Sequence, residues 1–149
     1  MDKVHKPSED TVHYAYETSL GALESNSTLP SGGGIIHLGP NQRAFSISMF
    51  HQLRCLNIMG RDVSIRASTA APRESTALEQ HCMNYLRQMI LCRSSIRLES
   101  GINIEGGRLV TSSVTHTCSD WSAVYSAAEA NYAAYKRNRG ETDVDKQSL

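Results

Sequence analysis

The stretch STALEQHCMNYLRQMILCRS, at residues 75–94, carries the clearest helical pattern in the chain. Its apolar residues recur at alternating intervals of four and three, which places them on one face of an α-helix. These residues are Leu78, Cys82, Tyr85, Met89 and Cys92. We therefore predict an amphipathic helix over residues 75–94 that is capped by Ser75 and buries this stripe.

Two further segments show the same period. The first runs from about Arg43 to Met59 and is followed by Gly60, a residue type that often stops a helix. Its apolar stripe consists of Phe45, Met49, Leu53 and Leu56. The second runs from Ser119 to Arg137, near the end of the chain. Its stripe consists of Trp121, Tyr125, Ala128, Tyr132 and Tyr135.

Extended structure is predicted at two places. The run SNSTLPSGGGIIHLG at 25–39 indicates a loop that leads into a strand at Ile35–Leu38. Its three glycines permit a close backbone approach, although a plain flexible loop is the simpler interpretation. The run INIEGGRLV at 102–110 alternates around two glycines, as a β-hairpin does. The sequence thus predicts a mainly α (α+β) fold, a small helical domain with a short β-hairpin before the last helix.

The chain has 149 residues, about the length of one domain. Because both ends are polar, we predict a flexible N-terminus over 1–12, a single domain over 13–139 and a flexible tail over 140–149. No apolar run is long enough for a membrane span or a signal peptide, which favours a soluble, cytoplasmic protein. If the sequence is a truncated piece, the secretory lumen is the alternative, and Asn26-Ser27-Thr28 is a glycosylation sequon that fits it.

The charge balance excludes one class of partner. Fifteen Lys and Arg offset fifteen Asp and Glu, so the chain lacks the positive charge with which proteins bind nucleic acids or anionic membranes. We expect no nucleic-acid partner. Six histidines and four cysteines in so short a chain instead suggest a metal site, an acid/base site or neither.

Helical spacing indicates which of these groups share a face. His51 and Cys55 are one turn apart, with Arg54 beside both. On the next helix His81 is one turn from Tyr85. Spacing alone is weak evidence for a metal, because the chain contains neither a Cys-x-x-Cys pair nor a His-Glu-x-x-His motif. Buried cysteines and partly buried histidines are the simplest interpretation.

Five short motifs are spread over most of the chain. They are HYAYE at 13–17, GGGIIHLGP at 32–40, FHQLRCLN at 50–57, QHCMNYLRQMILC at 80–92 and HTCSDW at 116–121. Together they resemble the fungal UstYa-like family of secondary-metabolite tailoring proteins, whose hallmark is two His-x-x-His-Cys motifs. The resemblance implies an enzyme that cyclises, dehydrogenates, hydroxylates or chlorinates a small or peptide intermediate. It also implies copper held by the motif histidines, and action in pairs.

Both hallmark motifs are altered in this sequence. The first reads His51-Gln-Leu-Arg54-Cys55, and the second has Leu78 three residues before His81. Neither a guanidinium nor an isobutyl group can ligate a metal. The resemblance therefore leaves His51 and His81 as metal ligands, and a cation at Arg54 would weaken metal binding.

Three functions remain open. In the first, His51 and His81, with His116 or His37 as an added ligand, hold one copper or iron ion for an oxidative ring closure. In the second, the scaffold is a redox-neutral cyclase or isomerase that needs no metal. In the third, the chain is a non-catalytic subunit of an active relative.

The redox-neutral hypothesis assigns its own roles to the same residues. Arg54 would stabilise a developing oxyanion, while His81 or His51 moves a proton near neutral pH. Tyr85 would donate a hydrogen bond to the substrate. We place the substrate, a small apolar or peptide natural-product intermediate, between the first two predicted helices. The predicted substrate-binding residues are Phe50, His37, Gln88 and His116.

Two remaining expectations come from the resemblance alone. The paired cysteines of the family suggest disulfides between Cys92 and Cys118 and between Cys55 and Cys82, although a cytosolic protein would keep them as thiols. The family's habit of acting in pairs suggests a homodimer or a heterodimer with a relative.

Overall fold

The computed structural model describes residues 1–7, 11, 13–69, 73–96, 98, 101–102, 109–110 and 115–140. Over these residues the chain forms four helices and six short strands. In chain order they are β1 (Lys3–Pro7), α1 (Ser19–Ser27), β2 (Ile35–Leu38), β3 (Arg43–Ser46), α2 (Ser48–Ser68), α3 (Ala77–Arg93), β4 (Gly101–Ile102), β5 (Leu109–Val110), β6 (Thr115–Ser119) and α4 (Trp121–Asn138). The predicted α+β class is confirmed.

The strands form three antiparallel pairs, β1 with β6, β2 with β3 and β4 with β5. The pairing of β4 with β5 confirms the predicted hairpin before the last helix, although its glycine turn lies outside the described residues. The predicted strand at Ile35–Leu38 is β2. Its partner β3 occupies Arg43–Ser46, where we predicted the start of a helix.

The N-terminus is more ordered than predicted. Residues Lys3–Pro7 form β1, which pairs with β6 from Lys3 opposite Ser119 to Pro7 opposite Thr115. The prediction of a flexible segment over 1–12 is therefore wrong for these five residues. The polar composition of this segment does not reveal β1, because the strand is stabilised by backbone hydrogen bonds to a strand more than a hundred residues away. Of the predicted tail, only Gly140 lies within the described residues.

Helix α2 begins later and ends later than predicted. It runs from Ser48 to Ser68, straight through Gly60. That glycine is required for a close contact, because a Cβ atom there would lie 2.2 Å from the Tyr16 ring. Helix α1 at Ser19–Ser27 was not predicted, since it has almost no apolar stripe.

The two other predicted helices are confirmed within two residues at each end. Helix α3 is capped by Thr76 instead of Ser75, in a capping box with Glu79. Asp120 caps α4. The stripe predicted for α3 is wrong at Leu78, which is 56% exposed, and at Cys92, which is also exposed, because the buried face carries Cys82 and Glu79. Of the helices described, none combines the length and apolarity needed to cross a bilayer.

The core lies where α2 meets α4. Phe50 is fully buried, and its ring meets the Tyr125 ring edge-on with centroids 4.8 Å apart. The Tyr125 hydroxyl donates to the backbone oxygen of Thr28, so the segment after α1 joins the same contact. Few apolar side chains are fully buried in the described part of the chain, namely Phe50, Cys55, Cys82 and Ala128.

The glycine run at 32–34 is packed between helices, contrary to the flexible loop that we predicted. Gly34 is buried with φ 78°, and a Cβ atom there would lie 2.2 Å from Phe50. A Cβ atom at Gly32 would lie 2.8 Å from the Tyr132 ring. The glycines therefore let the backbone lie directly on side chains of α2 and α4.

An ion-pair network joins the second half of α2 to the start of α3. Asp62 accepts hydrogen bonds from Arg66 at 2.7 Å and from Arg73, and Arg73 also donates to Glu79. Asp62 and Glu79 are only 6% and 8% exposed. Hydrogen bonds from Arg66 and Arg73 hold the pKa of Asp62 below its ordinary value. The Thr76 backbone N–H and Arg73 do the same to the pKa of Glu79.

We predict that Gly34→Ala destabilises the fold strongly. The new methyl group combines an unfavourable positive φ with a clash against Phe50, at a cost of about 3 kcal/mol. Gly39→Ala is the matched control, because Gly39 has φ 75° but no atom within 4 Å of an added Cβ. It should cost about 1 kcal/mol. Urea unfolding measures both, and equal losses would contradict a packed glycine loop.

The ion-pair network predicts a loss of stability in acid. Because Asp62 and Glu79 have lowered pKa values in the folded chain, their contribution is complete above the ordinary values of 3.8 and 4.5 and is lost as the pH falls through the folded values. The free energy of unfolding, measured with urea from pH 7 to pH 3, should therefore depend less on pH in the double variant Asp62→Asn, Glu79→Gln than in the native chain. The control is Glu74→Gln, at an exposed residue outside the network. Parallel pH profiles for native chain and double variant would refute the prediction.

Candidate functional site

Two histidines meet across the interface of α2 and α3. The Nε2 atom of His51, in the first turn of α2, lies 3.4 Å from the Nε2 atom of His81, in the second turn of α3. Their ring centroids are 5.6 Å apart at an interplanar angle of 70°. His51 is half-buried and His81 is exposed, so the pair is open to solvent from the α3 side.

Tyr85 completes an aromatic cluster with this pair. It lies one turn after His81, and its ring meets the His51 ring edge-on at 4.4 Å and 86°. The His81 ring is nearly parallel to it, with centroids 6.1 Å apart. The structure thus brings together three of the four residues that the sequence nominated as catalytic.

Two buried thiols lie beneath the histidine pair. Cys55 and Cys82 are each 1% exposed, and the Cys55 Sγ atom is 3.8 Å from the His51 Nε2 atom. Burial, together with a hydrogen bond to Cys82, raises the pKa of the Cys55 thiol to about 12. Cys55 is therefore a protonated thiol at neutral pH.

Neither predicted disulfide is formed in the structure, where all four cysteines are free thiols. Cys55 and Cys82 are in contact but not bonded. Cys92 is exposed on the last turn of α3, whereas Cys118 is half-buried in β6. The thiols at 55 and 82 therefore act as small apolar side chains that let α2 and α3 approach closely.

Arg54, the fourth nominated catalytic residue, binds the glycine loop. Its Nη2 atom donates to the Gly33 backbone oxygen at 2.7 Å. Sequence reasoning missed this link, although Gly33 is the middle residue of the glycine run. The φ angle of Gly33 is 63°, a conformation that favours glycine. A guanidinium paired with a loop carbonyl is a structural contact between α2 and that loop.

The other predicted site residues lie apart. Phe50 is in the core, and Gln88 is exposed on α3. His37 lies in β2, where its ring stacks on Tyr135 with centroids 3.5 Å apart. His116 lies in β6. The ring contacts of Phe50 and His37 are to Tyr125 and Tyr135, so a substrate-binding role for these four residues stays a prediction.

The geometry fits a metal ion held by two imidazoles. With metal–nitrogen bonds of about 2.0–2.1 Å, Nε2 atoms 3.4 Å apart would subtend an angle of about 110°, close to tetrahedral. Imidazole nitrogen suits copper, iron and zinc. In the described part of the chain, no three His, Cys, Asp or Glu side chains are grouped to hold an ion. The donors there are thus the two nitrogens alone.

Comparison with known proteins identifies the family. Residues 6–131 match the family described as "Mycotoxin biosynthesis protein UstYa". The chain belongs to the UstYa family. Among curated relatives, oxidase ustYa of Aspergillus flavus is 32% identical over 112 residues, which cover 73% of this chain and 51% of the relative. The membership inferred from the motifs is therefore confirmed.

Two further UstYa-family relatives match more weakly. Hydroxylase cctR of Talaromyces islandicus is 28% identical over 64% of this chain and 37% of its own length. UstYa family oxidase phomYb of Diaporthe leptostromiformis is 26% identical over 77% of this chain and 46% of its own length. The matches span between about a third and a half of these relatives. No solved structure matches the chain significantly.

The burial of the thiols predicts their order of reaction. Iodoacetamide should alkylate exposed Cys92 first and Cys118 more slowly, whereas Cys55 and Cys82 should react only after denaturant is added. Peptide mass spectrometry over a time course measures this, with Cys92→Ser as the control for the fast site. Denatured but unreduced protein should take up four alkyl groups. Uptake of two alkyl groups would indicate one disulfide, and uptake of none would indicate both predicted disulfides.

Proposed function

We propose that this chain is an oxidative tailoring enzyme of fungal secondary metabolism that works at His51, His81 and Tyr85. The observation that carries the proposal is the 3.4 Å approach of two imidazole nitrogens from different helices. Such an approach is what a shared metal ion requires. The names of the relatives, two oxidases and a hydroxylase, point to the same reaction class.

The proposed cofactor is copper, held by the Nε2 atoms of His51 and His81. When bound, it would supply the one-electron redox chemistry that oxidation by dioxygen needs. Tyr85 fixes the His51 ring by its edge-on contact. The exposed edge of His81 leaves a side from which a substrate can approach.

The proposed reaction is an oxidative ring closure on a small apolar or peptide intermediate. Two hydrogen atoms leave the substrate as the new bond forms, and dioxygen accepts them to give hydrogen peroxide. We propose that Tyr85 positions the substrate through its hydroxyl group, since its ring lies beside both histidine rings. A hydrogen bond to the substrate would align the reacting atoms, the effect that orientation contributes to catalysis.

A redox-neutral reaction remains the second candidate. The observation that favours it is the same contact, because two imidazoles 3.4 Å apart can share a proton without any metal. The oxyanion role suggested for Arg54 has less support, since its Nη2 atom is engaged by Gly33. In this mechanism His81 or His51 would move the proton and Tyr85 would bind the substrate.

The chain would act in a pair, either with a second copy or with a family member. The support is the outer face of α3, where Met83, Ile90 and Leu91 are 54%, 72% and 61% exposed. Exposed apolar side chains grouped on one helix are typical of protein interfaces. A purely non-catalytic partner role would leave the histidine pair unused.

Copper binding tests the proposal. The purified chain, loaded with copper and desalted, should retain about one ion per chain, and His51→Ala or His81→Ala should each abolish retention. His13→Ala is the matched control, because His13 pairs with Glu24 on the surface. Elemental analysis gives the ratio, and electron paramagnetic resonance should report nitrogen ligands.

Three outcomes would decide against the oxidase. Copper retention that is unchanged in both site variants would place the ion elsewhere. Turnover of a pathway intermediate by metal-free protein without dioxygen would favour the redox-neutral candidate. Activity that appears only on mixing with a relative, and that survives His51→Ala, would favour the subunit role.

A further inference from the structure

A solvent-open cavity of about 700 Å³, with mostly exposed lining residues, lies against the second half of α2, away from the histidine pair. Gly60, on its floor, comes nine residues after His51, which is about 13 Å along the helix and about half a turn around it. The cavity therefore opens on the opposite face of α2. Its size is in the range of about 300–1,000 Å³ that is typical of small-molecule sites.

One wall of the cavity is held rigidly. The Tyr16 ring lies directly on Gly60, where a Cβ atom would be 2.2 Å from the ring. The Tyr16 hydroxyl donates to the Asn57 side-chain oxygen at 3.1 Å, and the Asn57 amide donates to the Ser25 backbone oxygen at 2.7 Å. Asn57 is only 6% exposed. This chain of contacts fixes the aromatic wall before any ligand arrives.

The remaining lining exposes mainly apolar surface, although it also includes Ser64, Ser68 and one acidic group. Val63, which is 63% exposed, and Ala67 face the cavity along α2, together with the Ser64 hydroxyl. Glu17, next to Tyr16, contributes an exposed carboxylate. No cation among the described residues forms a salt bridge with it. The cavity thus offers an apolar surface with a negative charge at its edge.

We propose that this cavity is a second ligand site, which takes an amphipathic amine. The aromatic or aliphatic body of the ligand would lie on Tyr16, Val63 and Ala67, removing exposed apolar surface from water. Its ammonium group would pair with Glu17, whereas a carboxylate of the same shape would be repelled. The site is independent of the proposed oxidase function, because it uses none of the residues of the histidine pair.

The test compares two probes of the same shape and opposite charge. These are 2-(1-naphthyl)ethylamine and 1-naphthylacetate, titrated by fluorescence anisotropy with the complete chain. The amine should bind saturably at one site per chain and several times more tightly than the acetate. Equal affinities would overturn the charge assignment, and the absence of saturable binding of the amine would overturn the site.

Variants locate the site. Ala67→Phe should fill the cavity and abolish saturable binding of the amine. Ala127→Phe adds the same ring to an exposed position on α4 and should leave binding unchanged. Glu17→Gln should weaken binding of the amine about threefold, as expected for one exposed ion pair, without weakening binding of the acetate. Circular dichroism confirms that each variant is folded.

Two results would show that the amine binds elsewhere. They are unchanged affinity in Ala67→Phe and equal losses in Ala67→Phe and Ala127→Phe. Copper retention by Ala67→Phe should equal that of the native chain, so that failure at this cavity is separable from failure at the histidine pair.

Discussion

The close packing of α2 against α3 is the interaction on which the candidate site depends. Cys55 and Cys82 meet at its centre, each 1% exposed, and their small side chains let the helices approach. At one end of the interface, Asp62 and Glu79 share Arg73. On the solvent side, the same approach brings the His51 and His81 nitrogens to 3.4 Å. A change in the spacing of the helices would therefore alter the charge network and the histidine pair together.

The helical spacing in the sequence predicts the local groups of the site but not the elements that surround it. The separation of His51 from Cys55, and of His81 from Tyr85, follows from the period of one helix, and the structure has both contacts. The pairing of β1 with β6 depends on residues far apart in the chain, and no local pattern records it. The same is true of β3, whose residues also fit a helical stripe.

Arg54 makes a contact within the fold that helical spacing does not indicate. The resemblance to the family implies an imidazole at this position, whereas the guanidinium of Arg54 reaches the Gly33 backbone oxygen. Gly34, beside it, lies on Phe50, so the glycine loop is held by two residues of α2. The resemblance suggests a substitution at this position, but only the three-dimensional contact gives Arg54 a physical role.

The exposure of the site sets a condition on its chemistry. His81 faces solvent, and charges in contact with water interact weakly because the local dielectric constant is high. A reaction that develops charge there needs a cover that excludes water. The described residues supply two nitrogens and an aromatic edge but no third ligand group. For the copper ion that we propose, the cover and the remaining coordination positions would therefore come from the substrate, from a paired chain or from other parts of this chain.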